Sequence, residues 1–385
     1  MEESAHPTLN LPPRNHTLRE TITMPLRIGV AGLRRGMGFV RVFSAHQECE
    51  LAAVCDVEEG RAASVAEQFD VPMHFEDYSQ MCRADIDAIV VATPAPLHVR
   101  HALEALAEGK HVLSEVPAAF NLSEAEELAR GVERSGLKYM FAENMCYFAY
   151  IETYEQMVRR GDIGKPIYAE GEYIHDCRPL MHDRFDGMTP GSESGVTWRA
   201  SLPPIHYCTH DLGPLLEIMD TRVVTATGMH TGSNVEPQWG TIDMEVGIFK
   251  CESGAVIKIL VGFSIAREPS MHWMVIYGTE GYLEGPRGGA GGQHMLYSER
   301  TENLHGPMTL PLTTAHTGAP PEATAGGHGT SEYFMCNDFV RCIVDDTEPA
   351  IDVYRGLDYS LPGICAHISA ENGGEPVEVP DFRRE

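Results

Sequence analysis

The chain opens a repeating pattern at Leu26. Leu26-Arg27-Ile28-Gly29-Val30-Ala31-Gly32 is apolar and runs into glycines, and a helix is expected to begin near Phe39. A second apolar run, Glu50 to Asp56, is followed by a helical stretch from Arg61 to Phe69. Asp87 to Pro94 reads as a buried strand, Arg100–Glu108 as a helix closed by Gly109, and His111 to Ser114 as another short strand before Glu115-Val116-Pro117. Asn121 to Glu124 starts the next helix. Apolar runs alternating with helical periods at these short intervals predict right-handed βαβ units and a doubly wound parallel sheet.

The pattern changes after Tyr150. A helix from Glu152 to Arg160 ends at Gly161, and Ile167 to Tyr173 alternates as a half-buried strand does. Further strands are expected at Thr221–Gly228, Asp243–Cys251, Ala255–Ser264 and Met271–Gly278. Strands following one another this closely predict an open, mainly antiparallel sheet. The expected organisation is a flexible arm over 1–24, a nucleotide-binding domain of Rossmann type over 25–145, and an α+β domain over 146–385. The last of these would bind substrate, pack its C-terminal segment back towards the first domain, and use the outer face of its sheet to form a homodimer or homotetramer.

At 385 residues the chain exceeds the usual size of one domain. With 29 basic and 56 acidic residues its formal net charge is −27, which disfavours nucleic acid and anionic membrane as partners. No apolar run is long enough to span a bilayer, and the first two dozen residues hold no apolar signal core. Ten cysteines are scattered singly, without a C-x-x-C pair, so reduced thiols in a cytoplasmic setting are expected and a thiolate metal site is not. His175, Asp176 and His182 have no compact ligand spacing, and no metal is expected.

Gly32-Leu33-Arg34-Arg35-Gly36-Met37-Gly38 is suited to let backbone N–H groups approach a pyrophosphate at a helix start. Asp56 closes the second strand where an adenosine ribose is bound by a carboxylate, and its charge would repel a 2′-phosphate. NAD is therefore expected over NADP, although Arg61 nearby leaves the second open. Thr93, Pro94 and His98 follow the next strand end. Trp198-Arg199 precedes Ile205-His206-Tyr207-Cys208-Thr209-His210-Asp211, where titratable groups crowd a helix start. Thr209 or Asp211 is expected to cap that helix. Trp198 and Arg199 could stack on and clamp a sugar, or belong to a solvated loop spanning 175–202 with Asp183 and Arg184. The Gly-rich stretches Gly285–Gly292 and Gly318–Gly329 read as loops.

The glycine loop, Asp56, Ala92-Thr93-Pro94 with His98, and Glu115-Val116-Pro117 resemble the Gfo/Idh/MocA family of NAD(P)-dependent proteins acting on sugars. Asp338-Phe339, Ala350-Ile351-Asp352 and the run from Gly356 to Pro380 resemble that family's closing helix and strand. Its dehydrogenases usually carry lysine where this chain has Val116, and valine can neither titrate nor hydrogen-bond through its side chain. Glu-Val-Pro, Glu143-Asn144-Met145-Cys146-Tyr147 and Tyr207 to Pro214 together resemble the NAD-dependent glycosidase branch, the family 109 glycoside hydrolases.

That resemblance implies a carbohydrate substrate and a redox-neutral cleavage. The sugar's C3 hydroxyl is oxidised, the acidified C2 proton is removed, the C1 substituent leaves, water adds, and C3 is reduced again. It assigns Tyr147 as the C2 base and Tyr207 and His210 as further catalytic residues, with Glu115 beside them. Gly32, Leu33, Arg34, Gly36, Met37, Asp56, Thr93, Pro94, His98, Glu115, Val116 and Asn144 would hold NAD. Trp198, Arg199, His206, Tyr207 and His210 would meet the sugar. Cys208 and Asp211 differ from the branch's usual residues, and its additional histidine matches no position clearly. An NAD-dependent sugar or inositol dehydrogenase and a cofactor-binding regulator remain as alternatives.

Overall fold

The computed structural model describes residues 25–182, 196–267, 271–288, 292–301 and 306–383. The expected arm over 1–24, together with Asp183 and Arg184, lies outside them. Six strands form the first sheet: β1 (Leu26–Ala31), β2 (Cys49–Cys55), β3 (Met73–Phe75), β4 (Ala88–Val91), β5 (His111–Ser114) and β6 (Tyr139–Phe141). Their order is β3-β2-β1-β4-β5-β6 and every pairing is parallel. The order reverses at β1, so β1 and β4 diverge into helices on opposite faces and leave a crevice at their C-terminal ends. All four residues of β4 are buried, which explains why these strands read as apolar runs and not as alternating ones. Between strands lie α1 (Met37–Ala45), α2 (Arg61–Phe69), α4 (His98–Ala107) and α5 (Leu122–Ser135), with the short α3 (Tyr78–Cys82) after β3. Asn121 caps α5 by accepting from the Glu124 N–H at 2.9 Å, and Gly136 ends it in the left-handed region.

β6 stops at Phe141, and Asn144–Tyr147 form a single 3-10 turn capped by the Glu143 side chain. The turn leads into α6 (Ala149–Arg159).

The second sheet has nine strands: β7 (Pro166–Ile174), β8 (Val223–His230), β9 (Met244–Cys251), β10 (Val256–Gly262), β11 (His272–Gly278), β12 (Gly281–Glu284), β13 (His294–Ser298), β14 (Met308–Leu310) and β15 (Val377–Glu378). Their order is β14-β13-β12-β11-β7-β10-β9-β8-β15. All neighbours are antiparallel except β7 and β10, which run parallel. One face carries α7 (Thr209–Met219) and α9 (Val353–Glu371), while Ile167, Met229, Ile248 and Tyr277 are exposed. α9 passes so close to β8 that a Cβ on Gly228 would sit 2.0 Å from the Ala366 carbonyl oxygen.

The C-terminal helices also reach the first sheet. The Phe141 N–H donates to the Ile351 carbonyl at 2.9 Å, and the Ala118 N–H donates to Ser360 Oγ at 3.1 Å. Through α8 (Thr330–Val344), the buried Glu332 pairs with Arg35 at the start of α1. These contacts place the second sheet against the crevice.

Candidate active site

A cleft of about 340 Å³ runs from the glycine loop to the ends of β7 and α7. Its nucleotide end is built by close backbone approach. Gly32 has φ +86°, and a Cβ there would lie 2.4 Å from the Ala92 carbonyl oxygen, so only glycine lets the loop pass the end of β4. Asp56 faces this end and accepts from the Leu33 N–H at 2.8 Å and the Glu58 N–H at 2.9 Å, which fixes its carboxylate at the tip of β2. Arg34 pairs with Glu58 at 3.0 Å, and Arg61 pairs with the same carboxylate. Arg61, the residue that left NADP open, is thereby already engaged by acids. Glycines against a strand end and a fixed carboxylate at the neighbouring strand fit an adenosine dinucleotide without a 2′-phosphate.

Further in, Arg35 lies between two carboxylates, Glu115 at 2.6 Å and Glu332 at 2.7 Å. His328 and the N–H groups of Gly327 and His328 also reach Glu332. Burial would raise the Glu332 carboxyl, but these partners outweigh it and bring it down to about 2. Burial likewise opposes the Arg35 charge, and Glu115 and Glu332 raise it again. His98 bridges two loops, contacting the Thr93 carbonyl at 2.7 Å and that of Pro117 at 3.0 Å. Burial lowers its pKa against those carbonyls. Val116 lines the cleft and brings no titratable group to it.

Of the expected cofactor residues, Gly32, Arg34, Asp56, Thr93, Pro94, His98, Glu115, Val116 and Asn144 line the cleft. Leu33 is buried, and neither it nor Met37 is among the lining residues; Gly36 contributes through its N–H bond to Gly32.

The other end is rich in aromatic and titratable groups. Trp198, Arg199, Tyr207 and His210 all face it, as expected, and the Arg199 guanidinium lies 4.5 Å from the Trp198 ring centroid. His210 Nδ1–H donates to the fully buried Glu143 at 2.8 Å, leaving Nε2 for the cleft. Burial lowers the imidazole, yet Glu143 more than compensates and the net shift is upward. Burial raises the Tyr207 phenol, while Arg199 works the other way.

Two expected residues face elsewhere. Tyr147 is buried with its hydroxyl donating to Asp338 on α8 at 3.1 Å and does not line the cleft. His206 is buried, edge-on to Phe120 and His367, and burial with the His367 charge drives its pKa down to about 3. The expected caps also fail: α7 starts without a side-chain cap, and Asp211 turns inward to His272 at 3.3 Å.

Among the lining residues that sequence reasoning did not assign to the site are Tyr173, His175, Cys177 and Phe263 at this end. Tyr173 donates its hydroxyl to His175 Nδ1 at 3.2 Å, and Cys177 Sγ is 3.6 Å from the same nitrogen. The available signal was Tyr173-Ile174-His175 itself, two polar rings at period two where β7 runs out, which points them to one side. Burial raises the Tyr173 phenol well above its ordinary value and lowers His175. Among the described residues no three His, Cys, Asp or Glu side chains cluster as metal ligands, and Asp176 is held by Arg178.

Residues 26–143 match the family described as oxidoreductase family, NAD-binding Rossmann fold, and residues 222–385 match the glycosyl hydrolase 109 C-terminal domain. Glycosyl hydrolase family 109 protein 2 of Shewanella sp. (strain ANA-3) is 28% identical over 401 residues, covering 93% of this chain and 86% of the relative. A glycosyl hydrolase family 109 protein of Solibacter usitatus (strain Ellin6076) is 28% identical over 405 residues, covering 93% and 88%. Among solved structures, levoglucosan dehydrogenase in complex with NADH and levoglucosan superposes with a TM-score of 0.77 at 18% identity, over 92% of this chain and all (100%) of that one. Scyllo-inositol dehydrogenase from Lactobacillus casei, with NAD(H) and scyllo-inositol, gives 0.72 at 19% identity, over 92% and 99%. At that identity the structures speak for the fold alone. Residues 26–143 thus belong to the Gfo/Idh/MocA oxidoreductase family and residues 222–385 to the glycosyl hydrolase 109 C-terminal domain, with most of the substrate end of the cleft lying between the two matched stretches, and the protein is an enzyme with NAD as its cofactor.

Proposed function

We propose that the enzyme cleaves glycosides without net redox change, through transient oxidation at C3 of the sugar. The observation that carries this reading is the pairing of Val116, where the family's dehydrogenases keep lysine, with a tyrosine–histidine pair across the cleft. When bound, NAD supplies a hydride acceptor that returns the same hydride. The remaining work falls to side chains. Gly32, Asp56, Thr93, Glu115 and Asn144 orient the cofactor. Trp198 and Arg199 form the wall against which the sugar rests.

His210, with Nδ1 committed to Glu143, accepts the C3 hydroxyl proton at Nε2. Tyr173 relays the C2 proton, taking it as its own proton passes to His175 Nδ1 in the same step, so that no free phenolate has to form on a phenol that burial raises. This reassigns the base from Tyr147, whose hydroxyl is committed to Asp338 outside the cleft. Tyr207 lines the same wall, with Arg199 beside its phenol.

The exposed apolar positions on β7, β8, β9 and β11 support a dimer or tetramer formed through that face, and light scattering showing a monomer at micromolar concentration would exclude it. None of the described helices is long and apolar enough to cross a membrane, and the ten cysteines are free, which supports a reducing, cytoplasmic setting; secretion in an oxidised form would contradict that. The reading itself is tested with aryl glycosides: phenol release without added NAD and without NADH build-up supports it. NADH formed in step with product identifies a sugar or inositol dehydrogenase instead.

A further inference from the structure

The glycine-rich stretch Gly318–Gly329 ends against the cleft. It is bounded by two glycines in the left-handed region, Gly318 at φ +79° and Gly329 at φ +65°, and holds one 3-10 turn, Pro321–Thr324. Beyond that turn, Gly327 and His328 belong to no helix or strand. Their N–H groups both donate to the Glu332 carboxylate, that of His328 at 3.3 Å, and the His328 ring meets it through Nδ1 at 3.0 Å. Glu332 is fully buried on the first turn of α8, a helix anchored by the fully buried Met335, Cys336 and Phe339. Two glycines give the carboxylate its room. A Cβ on Gly326 would lie 2.4 Å from Glu332 Oε2, and one on Gly38 in α1 would lie 2.8 Å from both oxygens. Arg35 completes the joint, pairing with Glu332 at 2.7 Å through one nitrogen and with Glu115 at 2.6 Å through the other. Three stretches far apart in the chain, the glycine loop, Glu115–Val116 and His328, thus line the cleft as one tied unit.

We propose that Glu332 is a positioning residue for the cofactor: it latches Arg35 and the Gly326–His328 turn together, so that NAD enters and leaves only when this joint opens. A dinucleotide laid along the ends of β1 and β4 passes Arg35 and His328, both of which face the cleft. Neither swings aside while one buried carboxylate holds both, because parting a buried ion pair leaves its charges without partners. The rigid half of the joint is α8. The half that can move is the turn, whose backbone is held by a side chain and not by a ladder. A tie between α8 and the region of α1 exists elsewhere without touching the cleft: Arg341 on α8 pairs with Glu48, just past α1, at 2.9 Å, and neither lines the cleft. What Glu332 adds is its hold on residues that do. The inference rests on NAD as the cofactor and not on which reaction the enzyme performs.

The test follows exchange of bound NAD in the full-length enzyme at pH 7. Enzyme loaded with 14C-labelled NAD is chased with excess unlabelled NAD, and the label retained is counted after rapid filtration. Calorimetry on enzyme stripped of cofactor gives Kd. Glu332→Gln keeps the side chain's size and gives up its charge. The proposal expects release to quicken by about tenfold or more, with Kd raised less than about threefold, because the same joint stands in the way of entry. Glu48→Gln cuts the tie outside the cleft, and release from it should stay within about twofold of wild type, as for an exposed pair. Unchanged release in Glu332→Gln overturns the proposal. So does faster release with a matching rise in Kd, which is the sign of a weakened binding site. Equal quickening in Glu48→Gln also overturns it, since loosened packing then suffices. If Glu332→Gln does not fold, His328→Ala removes the turn's side chain from the cleft while sparing the buried pair, and the same outcomes decide.

Discussion

The two ends of the cleft handle charge differently. At the nucleotide end the cations are arginines, each answered by a carboxylate: Arg34 by Glu58, and Arg35 by Glu115 and Glu332. A guanidinium is a permanent donor of hydrogen bonds, so this end can bind but is poorly suited to exchange protons. At the substrate end the partners are histidines and phenols: His210 with Glu143, Tyr173 with His175, and His272 with Asp211. Of these groups, His210 is raised by Glu143 and His175 is lowered by burial from an imidazole's ordinary value near neutrality, while burial holds the Tyr173 phenol far above it. The difference separates holding a cofactor from moving a proton, and it can be broken from either side.

The largest expected effect lies at the substrate end. Tyr173→Phe should lower turnover by roughly 10²–10⁴-fold, the usual contribution of a positioned acid or base, while calorimetry finds NAD binding unchanged. Tyr147→Phe should stay within about tenfold, because its hydroxyl meets Asp338 and does not line the cleft. Comparable losses in both would erase the distinction.

The nucleotide end should answer in stability. Glu332 lies near 2 when folded against an ordinary 4.5, so its contribution is complete above about pH 4.5 and is lost as pH falls towards 2. Glu332→Gln should therefore cost on the order of 3 kcal/mol in urea unfolding at pH 7 and progressively less as the solution is acidified through pH 4. An undiminished cost in acid would show that packing, not charge, is involved.

The Glu143–His210 pair has the opposite sign. His210 is raised, so its stabilisation is complete below its ordinary value of 6.5 and fades as pH rises through its folded value. Glu143→Gln should cost about 2 kcal/mol near pH 6, as for a hydrogen bond to a charged group, and less at pH 9. The smallest effect is selectivity: NAD should bind at least about tenfold tighter than NADP, a difference of ~1.4 kcal/mol, because Asp56 faces the ribose and Arg61 is held by Glu58. Equal affinities in calorimetry would show that Arg61 is free to turn.

The same contrast explains what could be read from the sequence. The parallel sheet and the nucleotide end were legible because their determinants are local: a strand, a glycine loop and an acid about two dozen residues later. Most of the substrate end is assembled from pairs distant in the chain, Glu143 with His210, Asp211 with His272, and Tyr173 across from His272. Strand alternation shows which residues share a face but not which cross-strand neighbour they meet. Tyr147 illustrates the cost. Its place beside Asn144 suggested the cleft, yet only the packing of α8 shows that its hydroxyl is engaged by Asp338. His206 was drawn in by its neighbours Tyr207 and His210, while burial beside His367 sets it apart.

The most direct test of redox-neutral cleavage is turnover of an aryl glycoside in D2O, with deuterium located in the released sugar by NMR and absorbance followed at 340 nm. The account predicts deuterium at C2, continued turnover without added NAD, and no net NADH. An unlabelled C2 with one NADH per product would contradict it.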